Sequence, residues 1–351
     1  MIFDSIEQSV KKKLPFVAYK KPNQNIVKGL FQQCDTLHIA KNYTESGFVF
    51  APFDTRDVTI LIPNKAAVLL EKEIAVGEFN ELNTAQDISG LLSETISAKK
   101  NHLKLVKSGV EAIKKGQFKK VVLSRKETIA LTDFDVVSAF KKLMHNYPNA
   151  FVYVWYHPEI GMWLGASPET LLKVTGNSFS TMALAGTQLC NGTSEVVWHQ
   201  KELDEQQFVT DYIVSNLSEV CVNIQKSDIK TVKAGSLLHL KTSISGEFTP
   251  RNLALKTLVN ALHPTPAVCG LPREAAKQFI VEKERYARSF YTGFLGELNM
   301  GSSELYVNLR CMNIENRHAH LYVGGGITKD SNPIAEWEET VSKSNTMKKV
   351  L

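Results

Sequence analysis

Between residues 151 and 184 the chain reads FVYVWY, then MWLGASPETLLKV, then SFSTMAL, three strand-like runs separated by short turns and by no helix. Runs rich in aromatic and β-branched residues and bounded by turn residues read as strands. Strict βαβ alternation is therefore missing, which disfavours a doubly wound nucleotide fold and points to an α+β chain with largely antiparallel sheets. Upstream, HLKLVKSGVEAIKK places Leu103, Val106, Val110 and Ile113 at helical spacing, ahead of the strand-like KKVVLSRKETIAL and a helix DFDVVSAFKKLMHNY. Downstream, the pattern predicts a long helix over about 199–225, a strand at ISGEF and helices near 251–262 and 273–291. Two adjacent strands, ELYVNLRCMNI and HAHLYVGG, then precede a closing helix from about 333. Residues 1–100 are the least readable, because segments such as EFNELNTAQDISG break the patterning. With no linker, repeat or low-complexity tract, one large domain is expected.

Composition narrows the function classes. The 351 residues are 43% hydrophobic, ordinary for a globular chain, and 41 Lys plus Arg against 36 Asp plus Glu leave a net charge of +5 too thinly spread for a nucleic-acid stripe. Cys34, Cys190, Cys221, Cys269 and Cys311 are odd in number and lie outside any CxxC or Cys/His spacing, so they read as reduced cysteines of a cytoplasmic protein. The first twenty residues lack the apolar core of a signal peptide. No run reaches the roughly 18 apolar residues of a membrane span.

The closing helix opens on Asn332 and Pro333, a good N-cap followed by a good first residue, and then sets Glu336, Glu339 and Lys343 on one face. Acidic residues in a first turn and an i,i+4 Glu–Lys pair are also ordinary helix stabilisation. A second helix, WHQKELDEQQFVTDYIV, carries Glu202 and Glu205 three apart with Val209 and Tyr212 following on that face, which places the carboxylates at a core margin. Two converging E-x-x-E faces form a hard, oxygen-only set suited to Mg2+, whereas zinc would want His or Cys. Lys120 shares a strand face with Val122 and Ser124, and a lysine there is most often solvated. Glu169 follows a Gly-Ala-Ser-Pro turn. Arg310 alternates with Tyr306 and Asn308 on one strand face, as a carboxylate clamp or a wet sheet face. Gly324, Gly325 and Gly326 allow backbone N–H groups to approach an anion. His263, between a helix and a Pro-rich turn, reads first as structural.

Eight segments, FKKVVLSR, GASPETLL, MALAGT, LHPTPAVCGLP, FYTGFLGEL, LYVNLRC, YVGGGIT and SNPIAEWEETVSKS, follow in this order over about 118–344 and together resemble the chorismate-utilising enzymes. The resemblance implies a single compact α+β domain with two large, mainly antiparallel sheets flanked by helices. Residues 1–100 are then a divergent N-terminal part of that domain and 101–351 its chorismate-binding catalytic region. Within the family the sequence looks most like the isochorismate synthases, which are Mg2+-dependent and add water at C2 of chorismate as the C4 hydroxyl leaves.

The matching positions carry the family's roles onto this chain. Lys120 falls at the general base, for which a desolvated site lowering its pKa is expected, and Glu169 at the general acid, which needs a raised pKa. Glu205 and Glu339 match direct Mg2+ ligands, with Glu202 and Glu336 for water-mediated contact. Arg310, Tyr291 and the backbone at Gly324 to Gly326 match the enolpyruvyl-carboxylate site, and Lys343 a substrate-side position. Gly186 and Thr187 line the ring region, with His263 beside it. Amine-adding relatives usually carry Gln where Lys120 stands and work with a glutamine amidotransferase, so a monomer without that subunit and water addition are expected. Gln188 departs from the Arg that often follows LAGT in the family. The nearest alternative is a salicylate synthase, which shares this set and goes on to eliminate pyruvate; a silent chorismate-binding member is the non-enzyme alternative. The expected pathway is menaquinone formation, with a siderophore-pathway isochorismate synthase as the alternative.

Overall fold

The computed structural model describes residues 1–75, 77–79, 95–190, 196–234, 237–248 and 255–351. Two sheets account for the β-structure, and every strand pairing in them is antiparallel. The nine-stranded sheet runs, edge to edge, Gly270–Leu271, Lys120–Ala130, His318–Ile327, Cys311–Glu315, Gly161–Ser167, Phe151–His157, Phe16–Lys20, Ile26–Gln32 and Ala67–Glu73. The ten-stranded sheet runs Val222–Lys226, Leu237–Glu247, Ser178–Leu189, Thr170–Thr175, Ser303–Val307, Phe294–Leu298, Gly47–Ala51, Thr59–Pro63 and His38–Ala40, with Lys230–Ala234 also paired on Leu237–Glu247. Among the described residues these two sheets and seven helices form a single α+β domain; the patterning predicts its class and antiparallel pairing, and the family resemblance its two sheets.

The sheets stack on an aromatic layer, because alternate residues of each strand face inward and the inward ones here are large. Phe151 of one sheet stacks on Tyr306 of the other at 4.1 Å between ring centroids, and Phe50 on Phe290 at 4.2 Å. Each such pair contributes roughly 0.5–1.5 kcal/mol beyond its buried area. Helices cover the outer faces. Val136–Asn146 is capped by Asp135, whose side chain accepts from Val137 N, and buries Val137, Phe140 and Leu143. Gln200–Ser218 covers the other sheet with Val209, Ile213 and Leu217.

Two predicted strands are each two strands in different sheets. MWLGASPETLLKV leaves the first sheet after Ser167 and enters the second at Thr170, because Pro168 has no N–H for a ladder. ELYVNLRCMNI makes the reverse passage, from Ser303–Val307 to Cys311–Glu315, turning at Arg310 with φ +48°. Arg310 therefore does not alternate with Tyr306 and Asn308 on one face. The helix expected to about 225 ends at Ser218, and residues 222–226 form an edge strand around Asn223 at φ +55°. The helix from 273 stops at Lys283, since extended Glu284 turns its carboxylate inward to Arg288. The helix predicted near 251 runs Leu255–Leu262, and residues 251–254 lie outside the described residues, as does EFNELNTAQDISG from 80 onward.

Candidate active site

The two passages between sheets lie side by side. Val307 N donates to Glu169 O at 3.0 Å, Ser167 Oγ donates to Val307 O at 2.5 Å, and Ala166 N donates to Arg310 O at 3.0 Å. Glu169 and Arg310 are thereby held in one cleft, lined also by Gly186, Thr187, Glu205, Tyr291, Gly324, Gly325, Gly326, Glu339 and Lys343. Most of the candidate residues, scattered in sequence from Glu169 to Lys343, thus meet around one space.

Glu169 is 3% exposed, and burial pushes its carboxyl up to about 8 against the opposing pull of Lys120, Arg310 and Lys343. Lys120 is fully buried, contrary to the usual solvated lysine. Its strand is covered on both sides, by His318–Ile327 and by Gly270–Leu271, and its inward face points at the cleft's edge. Lys120 Nζ lies 2.9 Å from Glu205 Oε1, close enough for an ion pair but without hydrogen-bond alignment, and it has no hydrogen-bond partner.

A carboxylate wall faces the three glycines. A Cβ at Gly326 would stand 2.2 Å from Glu205 Oε1, and one at Gly325 would stand 3.1 Å from Glu336 Oε2 and 3.4 Å from Glu339 Oε1, so the missing side chains leave room for these oxygens. Glu336 is 2% exposed, and its carboxyl is raised to about 7 by burial and by Glu339, with Lys201 opposing. Lysines hold the carboxylates: Lys120 on Glu205, Lys343 on Glu339 at 2.5 Å, and Lys201 on Glu336 at 2.8 Å. Among the described residues no three acids, His or Cys converge to metal-binding distance, and Glu205, Glu336 and Glu339 are each paired with a lysine instead. The donor chemistry nevertheless fits Mg2+: all oxygen, with Glu202 Oε2 and Glu336 Oε2 buried and unpartnered.

Cationic and polar groups complete the cleft. Lys343 Nζ also donates to Gly324 O at 2.9 Å, and Tyr291 closes this end beside Gly324. His239, not singled out from the sequence, lines the cleft as well. Its Nδ1–H donates to Gly186 O at 2.9 Å and its Nε2 accepts from Arg310 at 3.4 Å, while burial and Arg310 push its pKa down to about 3. A neutral imidazole thus ties Arg310 to the bulge at Gly186, whose φ of +70° favours glycine. The cue in the sequence is a single polar residue in the apolar run LLHL. Lys201, also unforeseen, stands one helical turn before Glu205, the spacing that puts both on one face. His263 lies elsewhere: Nε2 donates to Pro52 O at 3.2 Å, the ring packs edge-on against Phe294, and the group lines a separate pocket. Gln188 turns away from the cleft to donate to Val197 O at 2.9 Å.

A buried acid, a carboxylate wall and an arginine thus line one cleft in a domain of two antiparallel sheets, with a buried lysine at its edge. The chorismate binding enzyme family model matches residues 61–351, and the chain belongs to that family. Isochorismate synthase DhbC of Bacillus subtilis is 30% identical over 261 residues, 69% of this chain and 65% of the relative. Isochorismate synthase MenF of the same organism is 31% identical over 264 residues, 71% of this chain and 55% of the relative. The chain therefore spans about two thirds or less of these relatives' length. The solved structure of MenF, the menaquinone-specific isochorismate synthase of Escherichia coli, superposes with a TM-score of 0.78 at 22% identity, covering 96% of this chain and 88% of that one, which shows a shared fold.

Proposed function

We propose that the chain is an isochorismate synthase, converting chorismate to isochorismate with Mg2+ as cofactor. The observation that carries this reading is Glu169, a carboxyl that burial raises to about 8 in a cleft whose edge is formed by buried Lys120, packed beside Gly326. Lys120 takes a proton from water as its oxygen bonds to C2; the ring double bonds shift, and Glu169 gives its proton to the departing C4 hydroxyl. Water is consumed and water is released, so the reaction balances as an isomerisation. Arg310, fixed by His239, and Lys343 with the backbone at Gly324 to Gly326 orient the carboxylates of the substrate. Gly186 and Thr187 supply the ring-side wall. Glu205 and Glu339, with Glu202 and Glu336 behind them, would hold Mg2+, which supplies positive charge against the ring carboxylate. Water addition is favoured over amine addition by Lys120 itself. The chain acts as a cytoplasmic monomer with no amidotransferase subunit, residues 1–100 belong with the catalytic region, and the product enters menaquinone formation, a reading that rests on the likeness to MenF of Bacillus subtilis.

Incubation with chorismate and Mg2+, with products separated by chromatography, tests the assignment. Isochorismate alone is expected; salicylate with pyruvate, or no turnover, overturns it. Lys120→Ala should lower turnover by about 10²–10⁴, the range for a lost general base, while Mg2+-dependent chorismate binding persists. Loss of menaquinone in a strain lacking the chain tests the pathway.

A further inference from the structure

Beside the Lys120–Ala130 strand, sharing no lining residue with the cleft, lies a groove of about 390 Å³, formed between that strand, the helix Thr95–Lys114 and the turn at 283–286. Its size is that of a small-molecule site. Lys104, Lys126, Lys283 and Arg285 are exposed around it, and among the described residues none makes an ion pair. Arg125, buried in the lining, is a fifth cation and is already paired with Glu127 at 2.9 Å. The one carboxylate in the lining, Glu284, is already committed to Arg288 at 2.6 Å and to Ser124 N at 2.7 Å. Four cations without an ion pair about one concavity, with no free carboxylate among the described residues that line it, make a positive field that attracts an anion. A second observation points the same way. His102 lines the groove, is 3% exposed, and leaves both ring nitrogens without partners, with burial and Arg125 keeping it neutral. Leu105 and Ala98 give the groove an apolar flank.

We propose that this groove binds a small organic polyanion, one bearing phosphate or clustered carboxylates, at a site separate from the chorismate cleft. Arg125 links the two. Its Nε donates to Thr340 Oγ1 at 2.8 Å and its guanidinium lies 4.5 Å from the Trp337 ring centroid, against which His102 also packs. Thr340 and Trp337 belong to Pro333–Lys348, the helix that carries Glu336, Glu339 and Lys343, so an anion drawing on Arg125 acts on the carboxylate wall.

Inorganic phosphate and citrate are the probes, titrated by calorimetry and thermal shift without chorismate, with sodium chloride at matched ionic strength as control. Phosphate, citrate or both should bind and raise the melting temperature beyond the chloride effect, and which of them does so identifies the anion class. Lys126→Glu with Arg285→Glu should weaken binding by about tenfold or more and leave turnover without added anion within about twofold. Lys104→Ala with Lys283→Ala should weaken it less. Arg310→Ala, in the cleft, should bind the probe as wild type does. Binding that survives the charge reversals, that is lost with Arg310→Ala instead, or that chloride reproduces overturns the proposal. Because no arm of the binding measurement requires turnover, failure of the groove and failure of the isochorismate synthase reading give different results.

Discussion

The carboxyl of Glu169 shows how one residue's surroundings govern both chemistry and stability. Its folded value of about 8 lies above the ordinary glutamate value of 4.5, chiefly through burial. Between these values the folded chain keeps a proton that the unfolded chain has released, so stability is full below about 4.5 and falls as pH rises towards about 8. Activity has the same upper limit, because an acid that has lost its proton cannot protonate a leaving hydroxyl. Turnover should therefore decline as pH passes about 8, and Glu169→Gln should abolish it and flatten the slope of the urea midpoint across that window. A wild-type rate profile flat through this value, or a Gln variant with an unchanged slope, would remove Glu169 from the role. Its position after a Pro turn was legible in GASPE. Its burial was not, because that depends on which sheet each side of the turn joins. Lys120 repeats the lesson: strand periodicity chose its face, and only the stacking of the two sheets sealed that face from water.

At the scale of elements, the strand His318–Ile327 is shaped by what its three glycines omit. Their backbone is extended, so the constraint is space; the tightest position is Gly326, where a Cβ would meet Glu205 Oε1 at 2.2 Å and Lys120 Cε at 3.2 Å. Both neighbours are ends of flexible side chains, and the ladder to Val122 does not depend on them. Gly326→Ala should therefore fold with near wild-type stability and lose turnover by about 10²-fold, the cost of roughly a 1 Å misplacement at a reacting centre. Circular dichroism and a steady-state assay on the same sample check this, and full activity would show that the Lys120–Glu205 contact is dispensable. The paired E-x-x-E helices were legible because helical spacing is local. Lys201, His239 and the groups they hold come from other elements, and neither period in the sequence reports which elements meet.

Over the whole molecule, the site exists because the chain passes twice between sheets at the same place. Each passage reads in sequence as one continuous strand, since the residues on both sides keep strand composition while the partner sheet changes; this is why Arg310 was assigned to a face it does not share. Residues 16–73 were unreadable for a related reason, contributing short strands in turn to both sheets. Ser167 pins the passages together: its fully buried hydroxyl donates to Val307 O at 2.5 Å and accepts from Glu169 N at 3.3 Å. Ser167→Ala leaves a buried carbonyl unpaired, a loss of about 1–3 kcal/mol. Thr181 offers a matched comparison, a buried hydroxyl donating to Leu171 O at 2.6 Å within the second sheet. Thr181→Ala should lower the urea midpoint by a similar amount and leave turnover within a few fold, whereas Ser167→Ala should also lower turnover by at least about tenfold, because the acid and the arginine are then no longer fixed to each other. Equal loss of turnover in both variants would mean that general stability, and not the junction of the two sheets, sets the geometry of the cleft.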